Sequence, residues 1–200
     1  MNKNLFHIDN IKLFFFEAFD LIAYIIFVAG IVFFIRFFIV NPFNVVGSSM
    51  FPTIQEKDFI LVDKISERFT SYKRWDIIVF VPPGKNIPYV KRIIGLSWET
   101  VKIKNNIITI CNWSNQCTDL DQSFLPTGTI TEANCGKDTF EVTSGFFVMG
   151  DNRWASTDSR CCFGLQCYKN TNYLVPMDHI IGKVLVRVFP DPVNFVNPFN

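Results

Sequence analysis

The residues from Leu21 to Val40 form a stretch of apolar side chains and glycine that only Arg36 interrupts. At 1.5 Å per residue, such a helix spans roughly 30 Å, which matches the hydrocarbon core of a bilayer. Arg36 lies near one end, where its long side chain can reach the headgroups. We therefore predict a transmembrane helix over 21–40 that ends at Asn41-Pro42. A cleavable secretory signal is the alternative, but the stretch is longer than such signals and no small-residue cleavage site follows it.

The helix divides the 200-residue chain into a segment 1–20, the anchor 21–40 and a domain 41–200. Lys3 and Lys12 precede the anchor and only Arg36 follows it closely, so the positive-inside rule places 1–20 in the cytoplasm. The domain 41–200 is then extracytoplasmic, on a single-pass protein of the cell membrane. The net charge of +1 and the lack of a basic run argue against a nucleic acid partner.

Six cysteines follow the anchor, which fits disulfide bonds in an oxidising compartment. They are Cys111, Cys117, Cys135, Cys161, Cys162 and Cys167. Cys111 and Cys117 are close enough to join one hairpin, whereas the remaining pairings stay open. Zinc is the competing interpretation, but the chain has no C-x-x-C pair and two histidines. We expect no metal and no cofactor.

The chain after the anchor is rich in short runs of β-branched and aromatic residues that turn sequences separate. The predicted strands are 59–62, 76–81, 89–94, 100–103, 107–110, 146–149 and 183–189. A helical turn near 176–179 is the one exception. These patterns predict a mainly β fold, an antiparallel sheet or partly closed barrel. The polar stretch 112–138 is interpreted as a surface insertion.

Ser49 and Lys91 are candidates for nucleophilic catalysis near a membrane. A serine hydroxyl needs a base to remove its proton, and lysine can serve only when it is neutral. At the ordinary lysine pKa, about 1 amine in 2,500 is neutral at pH 7. Burial among apolar neighbours lowers that pKa, and a shift of about 3 units corresponds to roughly 4 kcal/mol. Taken alone, the strand pattern favours the plainer interpretation, in which Lys91 and Arg92 are solvated edge charges.

Histidine offers a weaker base for Ser49. His7 precedes the anchor and would lie on the other side of the bilayer. His179 is the one candidate for a Ser-His-Asp triad, and it lies in a polar turn that enters a strand. No pair of acids and no metal-binding cluster gives an obvious alternative.

Four segments, in chain order after the anchor, resemble type I signal peptidases, the membrane-bound Ser-Lys proteases that remove signal peptides from exported proteins. Residues 47–53 resemble S-x-S-M-x-P-T, and residues 74–80 resemble R-G-D-I-V-x-F. Residues 89–95 resemble the strand that carries the base, and 150–160 resemble G-D-N-R-x-x-S-x-D-S-R. The resemblance covers essentially the whole chain, and the last motif is long and specific.

The resemblance assigns roles to particular residues. It makes Ser49 the nucleophile and Lys91 the base, and it implies that Ser156 hydrogen-bonds and orients the Lys91 amine. A turn-capping hydroxyl is the plainer role for Ser156. The backbone N–H of Ser49 is the expected donor to the oxyanion. Ion pairs are expected to brace the site through four further residues, Asp151, Arg153, Asp158 and Arg160.

The implied substrates are signal peptides of secreted preproteins, cut after a small residue with another small residue two places earlier, as in A-x-A. Shallow apolar pockets explain that preference, and extended binding along a strand edge would fix the register. The anchor would keep the site against membrane lipid, where a signal peptide emerges. Candidates for the pocket and edge, some of which could be plain core, are Phe43, Val45, Val46, Met50, Val79 and Val90.

Three departures from the family pattern affect these expectations. Gly47 stands where many members have a serine that helps to hold the oxyanion, so Ser48, the backbone or water would have to replace it. One lost donor costs about 10²–10³ in rate in other hydrolases. Trp75 replaces a glycine, and Ser97-Trp98-Glu99 replaces P-G-D.

Two other functions compete with a peptidase. A related Ser-Lys fold serves self-cleaving transcriptional repressors, but these need a DNA-binding segment where this chain has a membrane span. The non-enzymatic alternative is an anchored, disulfide-linked β module that binds partners, and the departure at Gly47 is the one feature that favours it.

Overall fold

The chain divides into two units, Met1–Val40 and Asn41–Asn200. The computed structural model describes residues 3–34, 40–65, 71–165, 167 and 173–195. Among the described residues, the first unit contains one long helix, and the regular elements of the second are antiparallel strands and short 3₁₀ helices. The expected mainly β fold with one N-terminal apolar helix is confirmed.

The N-terminal helix, α1, runs over Lys3–Phe34, and its part Glu17–Phe34 is long and apolar enough to cross a membrane. It begins well before the predicted start at Leu21. Residues 35–39 lie outside the described residues, and Val40–Asn44 already forms strand β1. Asn41-Pro42 therefore lies within a strand and does not end the helix. The strand tolerates Pro42 because β1 lies at the edge of its sheet, where a missing N–H breaks no ladder.

The larger sheet has seven described strands in the order β1-β2-β10-β3-β4-β9, with β11 paired to β10. Apart from β1, these strands are β2 (Phe59–Asp63), β3 (Ile77–Phe80), β4 (Tyr89–Gly95), β9 (Phe147–Met149), β10 (Ile180–Phe189) and β11 (Val193–Asn194). The path is open, with β1 and β9 at its two ends. The sequence predicted five of these strands and missed the short edge strands β1 and β11.

The smaller sheet has the order β7-β6-β5-β8. Its strands are β5 (Glu99–Lys104), β6 (Ile107–Cys111), β7 (Cys117–Asp119) and β8 (Thr139–Val142). A disulfide joins Cys111 to Cys117, which are partners in the β6–β7 ladder. This link within one hairpin was predicted from the spacing of the two cysteines.

Apolar side chains fill both faces of the larger sheet. On β3, Ile77 and Val79 belong to one buried cluster, and Ile78 and Phe80 belong to another. This explains why the strand is a continuous apolar run and does not alternate with polar residues.

The segment 112–138 differs from the expected surface insertion. It contains β7, and three of its residues, Leu120, Phe124 and Ala133, pack against a buried cluster formed by side chains of both sheets. Leu125 and Thr131 are buried as well. Because these residues stand singly among polar neighbours, they give no strand or helix period that the sequence would reveal.

Candidate active site

The hydroxyl of Ser49 and the amine of Lys91 meet in the second unit. Lys91 Nζ lies 2.6 Å from Ser49 Oγ and donates a second hydrogen bond of 2.8 Å to the carbonyl of Val90. Lys91 is 3% exposed, whereas Ser49 is half-buried and lines an open cleft. A reachable hydroxyl therefore contacts an amine that is kept away from water.

Ser49 lies in a turn between β1 and β2 that buried side chains fix. Met50 and Ile54 are 2% and 0% exposed and belong to the apolar cluster on one face of the larger sheet. The N–H of Ile54 donates to the carbonyl of Met50, and the N–H of Phe51 donates to the carbonyl of Ser48. Ser48 is exposed and Met50 is buried, so Ser49 stands at the boundary between solvent and core.

Lys91 lies on an interior strand of the larger sheet, because β4 pairs with β3 on one side and with the edge strand β9 on the other. Its partner in the β3 ladder is Ile78, and its amine lies 5.3 Å from the ring centroid of Tyr89. Burial lowers the pKa of Lys91 from 10.5 to about 8, against the opposing attraction of Asp158 and Asp151. At that pKa, about a tenth of the amine is neutral at pH 7.

The segment after β9 connects to the Ser49 turn through backbone contacts. A side chain at Gly150 would overlap the hydroxyl of Ser156 and the carbonyl oxygen of Ser49, so the close approach requires glycine. The N–H of Asn152 donates to the carbonyl of Ser49 at 3.1 Å. The side-chain amide of Asn152 donates to the carbonyl of Ser48 at 3.1 Å.

Asp151 forms a buried ion pair with Arg92. Arg92 donates from Nε at 2.8 Å and from Nη2 at 2.6 Å to the two carboxylate oxygens. The hydroxyl of Thr53, from the end of the Ser49 turn, donates to the same carboxylate at 2.5 Å. Asp151 therefore links the β4 strand to the Ser49 turn.

Asp158 forms the second buried ion pair, with Arg160, whose Nε and Nη2 each donate at 2.9 Å. The same carboxylate accepts the N–H of Gly150 at 3.0 Å. Asp158 thus holds the backbone of Gly150, which approaches the carbonyl of Ser49.

Arg153 is buried without a carboxylate partner among the described residues, which corrects the expected ion pair. Its Nε donates to the carbonyl of Gly150 at 3.2 Å, and its Nη1 donates to Thr131 Oγ1 at 2.6 Å and contacts Gln122 Oε1. Burial lowers the pKa of Arg153 to about 10. The two carboxylates that it could have used, Asp151 and Asp158, are already paired with other arginines.

Sequence reasoning missed Arg92, Thr53, Asn152, Gln122 and Thr131 as contributors to this network. Arg92 could have been found, because a buried aspartate in a specific motif needs a buried cation and Arg92 adjoins the predicted base. Gln122 and Thr131 lie in the polar stretch 112–138, where nothing in the sequence distinguishes them.

Ser156 does not form the hydrogen bond to Lys91 that the resemblance implied. Its Oγ is buried, and within the described part of the chain it has no hydrogen-bond partner. The Lys91 amine donates instead to the carbonyl of Val90 on its own strand. Ser156 still lies close to the reacting groups, since its hydroxyl occupies the space that a side chain at Gly150 would take.

An apolar cleft of about 590 Å³ opens beside Ser49 and Lys91. All six residues predicted for the pocket and edge line it: Phe43, Val45, Val46, Met50, Val79 and Val90. Three of them, Val45, Met50 and Val79, are also buried members of the core, whereas Val46 is 88% exposed. Further lining comes from Ile87, Pro88, Tyr89, Ala155 and Thr157.

The backbone at Gly47 has a φ of +92°, a conformation that strains residues with a side chain. No described atom outside its immediate neighbours lies within 4 Å of the place where a Cβ would stand. Space therefore permits a side chain at this position, but the backbone conformation disfavours it. Ser48 is exposed, and it lines the cleft together with Ser49.

Trp75 and Trp98, the two tryptophans at glycine positions of the motif pattern, keep the backbone that glycine favours. Their φ values are +77° and +71°. Trp75 is 8% exposed, its ring packs edge-on against Phe124, and its carbonyl accepts a bond of 2.9 Å from Arg92. Trp98 is 73% exposed.

His179 Nδ1 lies 2.9 Å from the carbonyl of Val81. The group at the hydroxyl of Ser49 is Lys91 and not His179, so the geometry does not form a Ser-His pair. Among the described residues, no three His, Cys, Asp or Glu side chains converge to hold a metal ion.

The family profile and the similar sequences agree on one family. The family profile described as signal peptidase, peptidase S26, matches residues 18–189. The chain is 38% identical over 146 residues to signal peptidase I U of Bacillus subtilis, covering 70% of this chain and 76% of that protein. It is 32% identical over 167 residues to signal peptidase I of Bacillus caldolyticus, covering 78% and 83%. A crystal structure of a signal peptidase I from Enterococcus faecalis is similar with 24% identity and a TM-score of 0.40, over 57% of this chain and 97% of that one.

Proposed function

Because the chain belongs to the signal peptidase family, peptidase S26, and is a serine endopeptidase of that family, we propose that Ser49 and Lys91 form its catalytic dyad. The observation that carries this proposal is the distance of 2.6 Å between Lys91 Nζ and Ser49 Oγ, with an amine that is 3% exposed. The reaction is the removal of signal peptides from exported preproteins.

The reaction begins when neutral Lys91 accepts the proton of the Ser49 hydroxyl as the oxygen attacks the scissile carbonyl. The tetrahedral intermediate collapses to an ester with Ser49, and Lys91 passes the proton to the departing amine of the mature protein. Water then attacks the ester while Lys91 removes its proton and returns one to Ser49. Each step returns the dyad to the protonation state that the next step needs.

The developing oxyanion needs donors that are aimed before the reaction starts. The backbone N–H of Ser49 is the proposed first donor. The hydroxyl of Ser48 is the proposed second, since it is exposed at the cleft and Gly47 supplies no side chain. The orienting role of Ser156 stays a prediction: its buried, unpaired hydroxyl is available for a partner when substrate binds.

The proposed cleavage site follows a small residue, with a second small residue two places earlier, as in A-x-A. The cleft supports this because its walls are apolar and partly formed by rigid core residues, Val45, Met50 and Val79. A large side chain would have to displace packed atoms, whereas a small one fits. Phe43, Val46 and Val90 are the proposed contacts on the more exposed parts of the cleft.

We place the protein in the cell membrane, with the N-terminus in the cytoplasm, α1 in the lipid and the domain 41–200 outside. The apolar part of α1 is long enough to cross a bilayer. The basic residues Lys3 and Lys12 precede it, and all three disulfides follow it, as in proteins that fold in an oxidising compartment.

Cleavage of a preprotein by the purified full-length chain in detergent tests this function. We expect one cut, located by N-terminal sequencing of the product, directly after a small residue. Ser49→Ala and Lys91→Ala should each abolish cleavage without loss of folded structure by circular dichroism. Full activity of either variant would rule out the dyad, and a cut after a large residue would rule out the proposed specificity.

A further inference from the structure

Two disulfides join the consecutive residues Cys161 and Cys162 to different parts of the chain. Cys161 is bonded to Cys135, and Cys162 is bonded to Cys167. Both cysteines directly follow Arg160, the last residue of the segment that carries Asp151 and Asp158. The bonds therefore lie at the end of the network that surrounds Ser49 and Lys91.

Cys161 and Cys162 lie in the turn Ser159–Gly164, which has an unfavourable backbone conformation. Cys162 and the next residue, Phe163, have φ values of +48° and +55°, a region that residues with a Cβ rarely occupy, least of all two in succession. The N–H groups of Cys161 and Phe163 both donate to the carbonyl of Asp158. An unfavourable backbone conformation is retained only when the surrounding structure stabilises it. The disulfide bonds at Cys161 and Cys162 provide such stabilisation.

The backbone beside the dyad depends on this turn. The carboxylate of Asp158 accepts the N–H of Gly150, and the hydroxyl of Ser159 accepts the N–H of Val148 at 2.9 Å. Both donors lie on the β9 side of Lys91. A shift of the turn would therefore move the backbone that approaches Ser49.

The turn also contacts the Tyr89 ring, which lies beside the Lys91 amine. Phe163 is fully buried, and its ring packs edge-on against Phe80 at 5.5 Å and against Tyr89 at 6.4 Å. The Tyr89 ring lies 5.3 Å from Lys91 Nζ. A continuous series of contacts thus joins the two disulfides to the proposed base.

We propose that the disulfides Cys135–Cys161 and Cys162–Cys167 are positioning elements of the active site, which hold Phe163 against the Tyr89 ring beside the Lys91 amine and so exclude water from that amine. This inference rests on the proposed dyad. Without the bonds the turn loosens, water reaches the amine, and the base becomes protonated over a wider range of pH. The charged groups that act on the amine are Asp158 and Asp151, which favour its protonated form, so a wetter amine keeps its proton more strongly.

The test compares three pairs of cysteine variants in the full-length chain. Cys135→Ser/Cys161→Ser and Cys162→Ser/Cys167→Ser remove the two proposed bonds. Cys111→Ser/Cys117→Ser is the matched control, because that disulfide joins the β6–β7 hairpin of the smaller sheet. The measurement is kcat/KM on one preprotein between pH 6 and pH 10.

We expect the apparent pKa of the rising limb to increase by about one unit in the first two variants and to stay unchanged in the control. Activity at pH 7 then falls about tenfold and recovers near pH 10. A bond with a purely structural role would lower activity equally at every pH, and that result, or an unchanged profile, overturns the proposal.

A further variant tests the proposal without removing a disulfide, and a further measurement tests it without relying on cleavage activity. Phe163→Leu leaves every cysteine in place, and we expect the same shift; an unchanged apparent pKa in this variant contradicts the shielding. The pKa of the Lys91 amine is also measured directly, from the pH dependence of its acetylation followed by mass spectrometry. An active Lys91→Ala variant would contradict the proposed dyad. If Lys91→Ala is inactive but the pKa of the Lys91 amine is unchanged in the disulfide and Phe163 variants, only the positioning role of the disulfides is contradicted.

Discussion

Ser49 and Lys91 are held in opposite surroundings although their side chains touch. Ser49 lies in a turn beside an open cleft, with exposed neighbours such as Val46 and Ser48. Lys91 lies in an interior strand of the larger sheet, is 3% exposed, and its strand is paired with another strand on each side. The proposed nucleophile must be reached by its substrate, whereas the proposed lysine base must be kept away from water. Because Ser49 comes from a turn and Lys91 from strand β4, the fold can expose the hydroxyl and bury the amine where the two side chains meet.

Replacing Lys91 with arginine should produce the largest effect, because it keeps a cation but removes the possibility of a neutral base. A guanidinium stays protonated at neutral pH. We expect kcat/KM to fall by about 10³-fold, the scale of general base catalysis, when preprotein cleavage is followed by gel assay.

Lys102→Arg is the matched control for that variant, since Lys102 is an exposed residue of β5. It should cleave at the normal rate. Retained activity in Lys91→Arg would mean that the buried residue at this position acts only by its charge.

Gly150→Ala should displace the backbone of Ser49, the more exposed residue of the Ser49–Lys91 pair. The new methyl group would overlap the Ser49 carbonyl and the Ser156 hydroxyl, so the Ser49 turn must shift. A displacement of about 1 Å can cost about 10²-fold in rate, and we expect kcat to fall by that order. Gly30→Ala is the control, because a Cβ there meets no described atom within 4 Å, and it should leave kcat unchanged.

Trp75 and Trp98 separate the effect of backbone strain from that of packing on the free energy of unfolding. Trp98→Gly relieves a left-handed conformation at an exposed site and should raise the free energy of unfolding by up to about 1 kcal/mol. Trp75→Gly relieves the same conformation but empties a core position, and should lower it by about 3 kcal/mol or more. Urea titration measures both, and equal signs for the two variants would show that strain and packing are not separable here.

The parts of the molecule that could be predicted from the sequence are those that follow a local pattern. Alternating or continuous apolar runs gave the central strands of the larger sheet, and the motif around Ser49 placed the turn. The short edge strands β1, β7, β8 and β11 were missed because two to five residues carry too little pattern. The start of α1 was also missed, since Lys3–Leu21 lacks the uniform apolarity that marks a span.

Contacts between distant segments could not be predicted from residue type. Arg92 and Asp151 are 59 positions apart, and Arg153 and Thr131 are 22 apart. Their pairing depends on how the fold brings distant segments together. Several different pairings of the same charged residues are equally compatible with the sequence. The hydrogen-bond partner of the Ser156 hydroxyl could not be predicted for the same reason. A motif indicates that a residue belongs to a site, but it does not specify which group its side chain contacts.

The pH dependence of kcat/KM for preprotein cleavage tests the central claim most directly, since it reports the protonation state of the free enzyme's base. Lys91 is protonated and inactive as a base below its pKa, which burial lowers to about 8. The rate should therefore fall about tenfold per pH unit below 8, rise through that value and level off above it. A profile that stays flat between pH 6 and pH 10 would contradict a neutral lysine as the base for Ser49.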